Sequence, residues 1–224
     1  MVIFFDIGST LIDGKSSPVS YLVKRLQLPE VARAVISNFL FKTPMEQPKE
    51  LVNFLNERFD IANNLLEPLV TDLWEAQNTE AIAIQGAIET VERFEAMGMT
   101  VGYISNIWLP FYMGFRREFP NKLLQHQTFL SFRMRLSKPD TAIYQAALDA
   151  VNESPKNAIM VGDTYANDIA PALAIGMKTV CVLHRPVQER NDLVKVLNHK
   201  AARPHLTIRQ IGELQPEQIE GLLT

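Results

Sequence analysis

The chain has 224 residues, of which 47% are hydrophobic and 21% charged, as in a globular protein with one domain or with one domain that carries an insertion. Its 22 Lys and Arg residues against 25 Asp and Glu residues give a formal net charge of −3, with no long basic run, which argues against nucleic acid as a partner. The single cysteine, Cys181, excludes an internal disulfide and a zinc site built from several cysteines, and it fits a reducing compartment.

The first residues, Met1 to Asp6, have no basic region, and a carboxylate ends their apolar run, so they do not predict a signal peptide. No stretch of about 18 uninterrupted apolar residues predicts a membrane span. We therefore expect a cytoplasmic protein with no membrane partner. The sequence does not indicate an oligomeric state.

Short apolar runs without alternation predict parallel strands that are buried on both faces. These runs are Val2–Phe5, Thr100–Ser105, Ala158–Val161 and Thr179–Leu183. Amphipathic patterns between them predict helices over Ala87–Met97 and Thr141–Val151. Strands that alternate with helices predict an α/β fold with a parallel sheet.

Residues 14–85 interrupt this alternation and contain no convincing strand. Pro18, Pro29, Pro48 and Pro68 divide the segment as prolines near helix starts do, although Pro68 also fits a turn. We therefore predict a core domain of residues 1–13 and 86–224, with a helical domain of residues 14–85 inserted after the first strand.

Polar residues follow three of the predicted strands, and a lysine lies in a loop between two of them. Asp6 precedes a Gly-Ser-Thr turn whose free N–H groups suit an anion. Ser105 and Asn106 end the second strand, and Lys138 precedes a proline that can begin a helix. Each of these features alone also fits an ordinary turn or a surface lysine. Because parallel strands present their carboxyl ends at one edge, the polar groups there can converge.

The segment Val161–Asp168 carries the strongest signal, because a glycine and two acids, Asp163 and Asp168, follow a strand. Capping of the next helix explains Asp168 well and Asp163 poorly. Carboxylate oxygens suit a hard cation such as Mg²⁺, which also binds phosphate oxygens.

Together and in this order, these stretches resemble the haloacid dehalogenase (HAD) superfamily of hydrolases. The resemblance covers nearly the whole chain except residues 14–85, which take the place of the helical C1-type cap of that family. It implies a doubly wound, Rossmann-like core and a phosphatase that acts on a small phosphorylated metabolite.

The resemblance also implies roles for individual residues. Asp6 would attack the phosphoryl group and form an aspartyl-phosphate. Ser105 and the backbone of Asn106 would hold phosphoryl oxygens, and Lys138 would neutralise charge. Asp6, the carbonyl of Gly8 and Asp163 would bind Mg²⁺ directly, and Asp168 would either ligate the ion or order its water shell.

Gly8 departs from the pattern of most phosphatases in the family, which have at this position an Asp that protonates the leaving group. Such a general acid contributes about 10²–10⁴-fold in rate. Asp13 lies farther along the chain and is not an obvious substitute.

Two other functions therefore stay open. One is a dehalogenase or a phosphonate hydrolase, and the latter would need a lysine of the helical insertion, where Lys15, Lys24, Lys42 and Lys49 are the candidates. The other is a catalytically weak member that binds a ligand or a partner.

Arg185 follows a predicted strand and is a minor candidate for binding a substrate anion, while the four histidines, among them His184, have no metal-ligand spacing.

Overall fold

Eight strands and eleven helices are present in residues 1–223, the part of the chain that the computed structural model describes. The strands are β1 (Val2–Phe5), β2 (Ile12–Asp13), β3 (Ile82–Ala83), β4 (Thr100–Ser105), β5 (Gln127–Leu130), β6 (Ala158–Gly162), β7 (Lys178–Val182) and β8 (Leu206–Ile208). The helices are α1 (Pro18–Arg25), α2 (Ala32–Lys42), α3 (Pro48–Phe59), α4 (Asn63–Thr79), α5 (Ala87–Ala96), α6 (Leu109–Glu118), α7 (Ser131–Met134), α8 (Thr141–Ala150), α9 (Ala170–Ala174), α10 (Arg190–Leu197) and α11 (Pro216–Leu223).

Six of the strands form one parallel sheet in the order β5-β4-β1-β6-β7-β8, while β2 and β3 form a separate antiparallel pair. Successive side chains of β1 point to opposite faces, as in any strand. Ile3 and Phe5 pack in a core with Phe94 of α5, and Phe4 packs on the other face with Tyr144 of α8. Helices therefore cover both faces of the sheet, which confirms the predicted α/β class.

Helices α1 to α4 pack around a hydrophobic core of their own, in which Leu22, Ile36, Leu51 and Val70 are fully buried. Trp108, at the start of α6, also belongs to this core and links it to the sheet. The division into a core domain and a helical domain at residues 14–85 stays a prediction.

The elements differ from the predictions at several points. Strands β1 and β4 have the predicted bounds, β6 extends one residue further, and β7 begins and ends one residue earlier than expected. The prediction of no strand in residues 14–85 is wrong, because β3 lies there and pairs with β2. The alternative of a turn at Pro68 is also wrong, since this proline lies inside α4. Within residues 1–223, no helix has the length and apolar character needed to cross a bilayer.

Candidate active site

Asp6 lies at the carboxyl end of β1, the strand between β4 and β6 at the centre of the sheet. Its backbone N–H donates to the carbonyl of Val161 on β6 at 2.9 Å, so the ladder of the sheet continues to this residue. The turn that follows is tight, because the N–H groups of Leu11 and Ile12 both donate to the carbonyl of Ile7. The carboxylate is therefore held at the sheet edge with only 7% of the residue exposed.

Lys138 reaches Asp6 from the loop that precedes α8. Its ammonium donates to Oδ1 of Asp6 at 2.7 Å and to Oδ1 of Asp168 at 2.5 Å, and it also bonds to the carbonyl of Ile104 at 3.0 Å. The side chain of Asn106 anchors the backbone of the same residue. Its amide donates to the Lys138 carbonyl at 2.7 Å, and its Oδ1 accepts from the Lys138 N–H at 2.9 Å. Both ends of Lys138 are thus fixed, and the ammonium points at Asp6 and not at solvent.

The charge of Lys138 is secured by its two carboxylate partners. Burial lowers the pKa of this lysine, but the charges and hydrogen bonds of Asp168 and Asp6 outweigh that effect and raise the pKa to about 12. A buried ammonium without such partners would tend to lose its proton. Lys138 therefore remains a cation beside the carboxylate of Asp6 throughout the neutral pH range.

Asp163 and Asp168 approach Asp6 from the turn that follows β6. Asp168 lies in a short π-helical turn, Tyr165–Ile169, and its Oδ2 accepts from the N–H of Thr164 at 2.9 Å. Capping of the next helix was the alternative explanation of Asp168 in the sequence, but its side chain does not cap that helix and faces inward. Gly162 makes this possible, because a Cβ at that position would lie 2.3 Å from the Cγ of Asp168. Ligand atoms of the three aspartates lie within 4.8 Å of one another.

This cluster has an excess of negative charge. Three carboxylates face two cationic side chains, Lys138 and Arg185, so one formal negative charge is left over. Burial and then the charge of Asp168 raise the pKa of Asp163, and Arg185 offsets them only in part. A group of converging carboxylates with uncompensated charge fits a divalent cation, and an all-oxygen donor set fits a hard cation such as Mg²⁺.

The other predicted site residues lie at the same edge of the sheet but in different environments. Gly8 lines the cavity above Asp6, and so does Asn106, whose side chain is used to anchor Lys138. Ser105 ends β4, is 1% exposed and does not line that cavity.

Two adjoining cavities open above the sheet edge. The first, of about 400 Å³, is lined by the three aspartates, by Lys138 and by Ser37 and Phe41 of α2. The second, of about 630 Å³, is lined by the β2 region, by the start of α6 and by the segment after β7. The two cavities share four lining residues, namely Ser9, Phe41, Asn106 and Arg185. A ligand bound at Asp6 can therefore extend into the larger cavity.

The lysines of the helical segment are absent from the smaller cavity, whose lining contains Lys138 alone among lysines of residues 1–223. Lys15 lines the larger cavity, but it pairs with Glu80 at 3.1 Å and is largely exposed. This arrangement gives no support to a lysine of residues 14–85 placed over Asp6.

Two contacts at the end of β7 were not predicted from the sequence. The Nε and Nη2 of Arg185 lie 2.8 Å and 2.7 Å from Oδ2 of Asp163, so this arginine binds an acid of the cluster and not only solvent. The Nε2 of His184 lies 3.1 Å from Oδ2 of Asp13. The position of both residues just after a strand was the available signal, but the sequence did not identify their partners.

The chain is similar to known proteins over most of its length. A family model described as haloacid dehalogenase-like hydrolase matches residues 1–176. A glyceraldehyde 3-phosphate phosphatase of Pyrococcus furiosus is 28% identical over 193 residues, which are 80% of this chain and 79% of that protein.

Two solved structures share the fold. A 2-haloacid dehalogenase of Pseudomonas syringae superposes with a TM-score of 0.63 at 18% identity, over 98% of both chains. A HAD family enzyme of Bacteroides thetaiotaomicron, in complex with magnesium and inorganic phosphate, superposes with a TM-score of 0.61 at 16% identity, over 81% of this chain and 93% of that one.

Proposed function

Because the chain belongs to the haloacid dehalogenase-like hydrolases, we propose that it is a Mg²⁺-dependent phosphohydrolase for a small phosphorylated metabolite. The observation that carries this proposal is the convergence of Asp6, Asp163 and Asp168 within 4.8 Å beside the buried ammonium of Lys138. The phosphatase name of the Pyrococcus furiosus relative supports the same reaction class. Residues 14–85 would be the cap that encloses the substrate, with Ser37 and Phe41 facing the site.

Asp6 is the proposed nucleophile. One of its carboxylate oxygens attacks phosphorus, the bond from phosphorus to the leaving oxygen breaks, and water later hydrolyses the aspartyl-phosphate. Covalent catalysis of this kind divides one difficult step into two easier ones. Lys138 donates to Oδ1 of Asp6, which leaves Oδ2 free of that contact for the attack.

Charge compensation is the second requirement, since a carboxylate must approach a phosphoryl dianion. Lys138 lies between Asp6 and Asp168 and lowers this repulsion, which is strong in a site of low dielectric. The backbone N–H of Asn106, a residue that lines the cavity, would bind a phosphoryl oxygen. Phosphoryl transfer depends mainly on such positioning and electrostatic stabilisation.

The proposed Mg²⁺ ligands are the carboxylates of Asp6, Asp163 and Asp168 and the carbonyl of Gly8. When bound, the ion supplies positive charge that phosphoryl oxygens need. The excess negative charge of the cluster and the all-oxygen donor set support this assignment.

A catalytically weak member that binds a phosphorylated ligand is the second candidate, and Gly8 is the residue that favours it. The turnover assay described next distinguishes the two functions, because a binding protein would be stabilised by phosphate but would not turn over a substrate.

The test is a panel of phosphate monoesters, including glyceraldehyde 3-phosphate and 4-nitrophenyl phosphate, with Mg²⁺ and with EDTA. A chloride-release assay on a 2-haloacid runs beside it. We expect phosphate release that requires Mg²⁺, no chloride release, and no turnover by Asp6→Asn, since a neutral amide is a poor nucleophile. Asp72→Asn, on the exposed face of α4, is the matched control. Near-normal activity of Asp6→Asn, or release that EDTA leaves unchanged, would contradict the proposal.

A further inference from the structure

His184 and Asp13 form a side-chain pair beside the larger cavity. His184 follows β7 at the sheet edge, and Asp13 belongs to β2, yet the two side chains meet with 3.1 Å between Nε2 and Oδ2. Both line the larger cavity, where 26% of the His184 side chain and 43% of the Asp13 side chain are exposed. The pair is thus accessible to a bound molecule.

The larger cavity offers space for a leaving group next to the cavity of Asp6. In phosphoryl transfer the attacking and leaving oxygens are roughly in line, so the leaving oxygen lies on the side of phosphorus away from Asp6. The larger cavity adjoins the cavity of Asp6 and shares Ser9, Asn106 and Arg185 with it. The part of the substrate beyond the leaving oxygen can therefore extend into the cavity that His184 and Asp13 line.

The three aspartates that line the smaller cavity are the proposed Mg²⁺ ligands, and the other ionisable residues of the two cavities are poor proton donors for this step. Lys138 is held as a cation between two carboxylates, and an arginine such as Arg185 does not deprotonate in proteins. Lys15 is paired with Glu80 and largely exposed. Imidazole, by contrast, can donate a proton from one ring nitrogen while the other is held by a hydrogen bond, which suits a general acid.

Asp13 prepares His184 for this task. One carboxylate oxygen of Asp13 accepts from the N–H of Gly14 at 2.9 Å, and the other faces Nε2 of the histidine. A carboxylate at that distance fixes the orientation of the ring, so that Nε2 faces Asp13 and Nδ1 lies on the other side of the ring. The Nδ1 atom of His184 makes no hydrogen bond within residues 1–223, so it is free to contact a ligand.

We propose that His184, oriented by Asp13, is the proton donor to the leaving group and replaces the carboxyl that Gly8 lacks. This inference rests on the proposed phosphohydrolase function. As Asp6 attacks phosphorus and the bond to the leaving oxygen breaks, the Nδ1 proton of the imidazolium passes to that oxygen, and a neutral alcohol departs. In the second step the neutral imidazole takes a proton from the attacking water, so that phosphate is released and the imidazolium is restored.

Leaving-group dependence tests this assignment. 4-Nitrophenolate leaves without protonation, whereas the alkoxide of an alkyl phosphate does not. We expect His184→Gln to lower kcat/KM for the best alkyl ester of the panel by about 10²–10⁴-fold, the range typical of a general acid, and to change 4-nitrophenyl phosphate far less. Asp13→Asn should act in the same direction with a smaller loss. His199→Asn, at an exposed histidine outside both cavities, is the control.

A second substitution separates proton donation from a merely structural role. Gly8 does not have a positive φ, and a Cβ there would lie 3.5 Å from the ring of Phe111, an ordinary contact, so Gly8→Asp fits the fold. This change restores a carboxyl at the position that the family uses. In the double variant Gly8→Asp, His184→Gln, alkyl phosphate hydrolysis should recover by at least about tenfold over His184→Gln alone.

Equal losses on both esters in His184→Gln, with no recovery in the double variant, would overturn this role and leave the phosphohydrolase standing. An unchanged alkyl rate in His184→Gln would overturn it as well. A wild-type protein that hydrolyses neither ester in Mg²⁺ would refute the proposed function itself, and this assignment with it.

Discussion

Asp163→Asn is the substitution that best tests the metal assignment, because it removes a carboxylate of the cluster and leaves both carboxylate partners of Lys138 in place. Lys138 pairs with Asp6 and Asp168, while the cationic partner of Asp163 is Arg185. The Arg185 side chain is 38% exposed, so water can replace the lost partner. Asparagine also has nearly the same shape as aspartate, so packing should be preserved.

The size of the expected effect follows from linkage. A ligand that binds only the folded protein and is present at 100 times its Kd stabilises that protein by about 2.7 kcal/mol. For a domain of this size each kcal/mol raises Tm by about 2–4 °C, so Mg²⁺ should raise the Tm of the wild type by about 5–11 °C. Asp163→Asn removes the excess negative charge of the cluster, and we expect a shift under about 2 °C at the same concentration.

In the absence of metal, Asp163→Asn should not lower the Tm of the protein. Burial near two other carboxylates raises the pKa of Asp163, which means that its charged form is disfavoured in the folded protein. At pH 8 in EDTA, Asp163→Asn should therefore unfold at the same temperature as the wild type or at a higher one.

The assay is thermal unfolding in EDTA and in increasing MgCl₂ at constant ionic strength. Asp72→Asn is the matched control, since Asp72 is exposed on α4. If Mg²⁺ raised the Tm of Asp163→Asn as much as that of the wild type, the ion would bind elsewhere and the metal site assigned here would be wrong.

Three further predictions concern the same cluster. Lys138→Met should destabilise the metal-free protein by about 3–5 kcal/mol in urea unfolding, because it leaves the carboxylates of Asp6 and Asp168 buried without their cation. A second prediction concerns pH. Because the pKa of Asp163 is raised in the folded state, the folded protein binds more protons than the unfolded one. The metal-free free energy of unfolding should therefore fall as the pH rises above about 4, the ordinary pKa of Asp. Urea unfolding in EDTA at several pH values measures this slope, which Asp163→Asn should flatten. Gly162→Ala should abolish the Mg²⁺-induced rise in Tm, since its Cβ would occupy the space of the Asp168 carboxylate, and retention of that rise would contradict the geometry described.

The inner strands of the sheet were predictable because they are continuous apolar runs. Strands β1 and β4 are buried on both faces, and their predicted bounds agree with the structure. The edge strands β5 and β8 were missed for the opposite reason. Their sequences, QTFL and LTI, are short and mix polar with apolar residues, so no period is visible in them. Pairing with β4 and β7 makes them strands.

The convergence of Asp6, Asp163 and Asp168 was predictable in outline, since each follows an inner parallel strand. The contacts of Arg185 and His184 were not predictable from the sequence, because they depend on which strand lies next to β6. The register places Gly162 of β6 opposite Cys181 of β7, so the residues just after β7 lie beside Asp163. A sequence states that a polar residue follows a strand, but the order of the strands decides its partner.

The end of β7 joins the two halves of the proposed chemistry. Arg185 binds Asp163 of the carboxylate cluster, and the preceding residue, His184, faces Asp13 in the cavity of the leaving group. In the proposed mechanism, adjacent residues would thus serve phosphoryl transfer and departure of the alcohol. Gly8 lines the cavity of Asp6, and a Cβ there would make an ordinary contact with the ring of Phe111, which lines the larger cavity. The proposed proton donor therefore belongs to the segment after β7, which also carries Arg185, and not to the turn that contains Gly8.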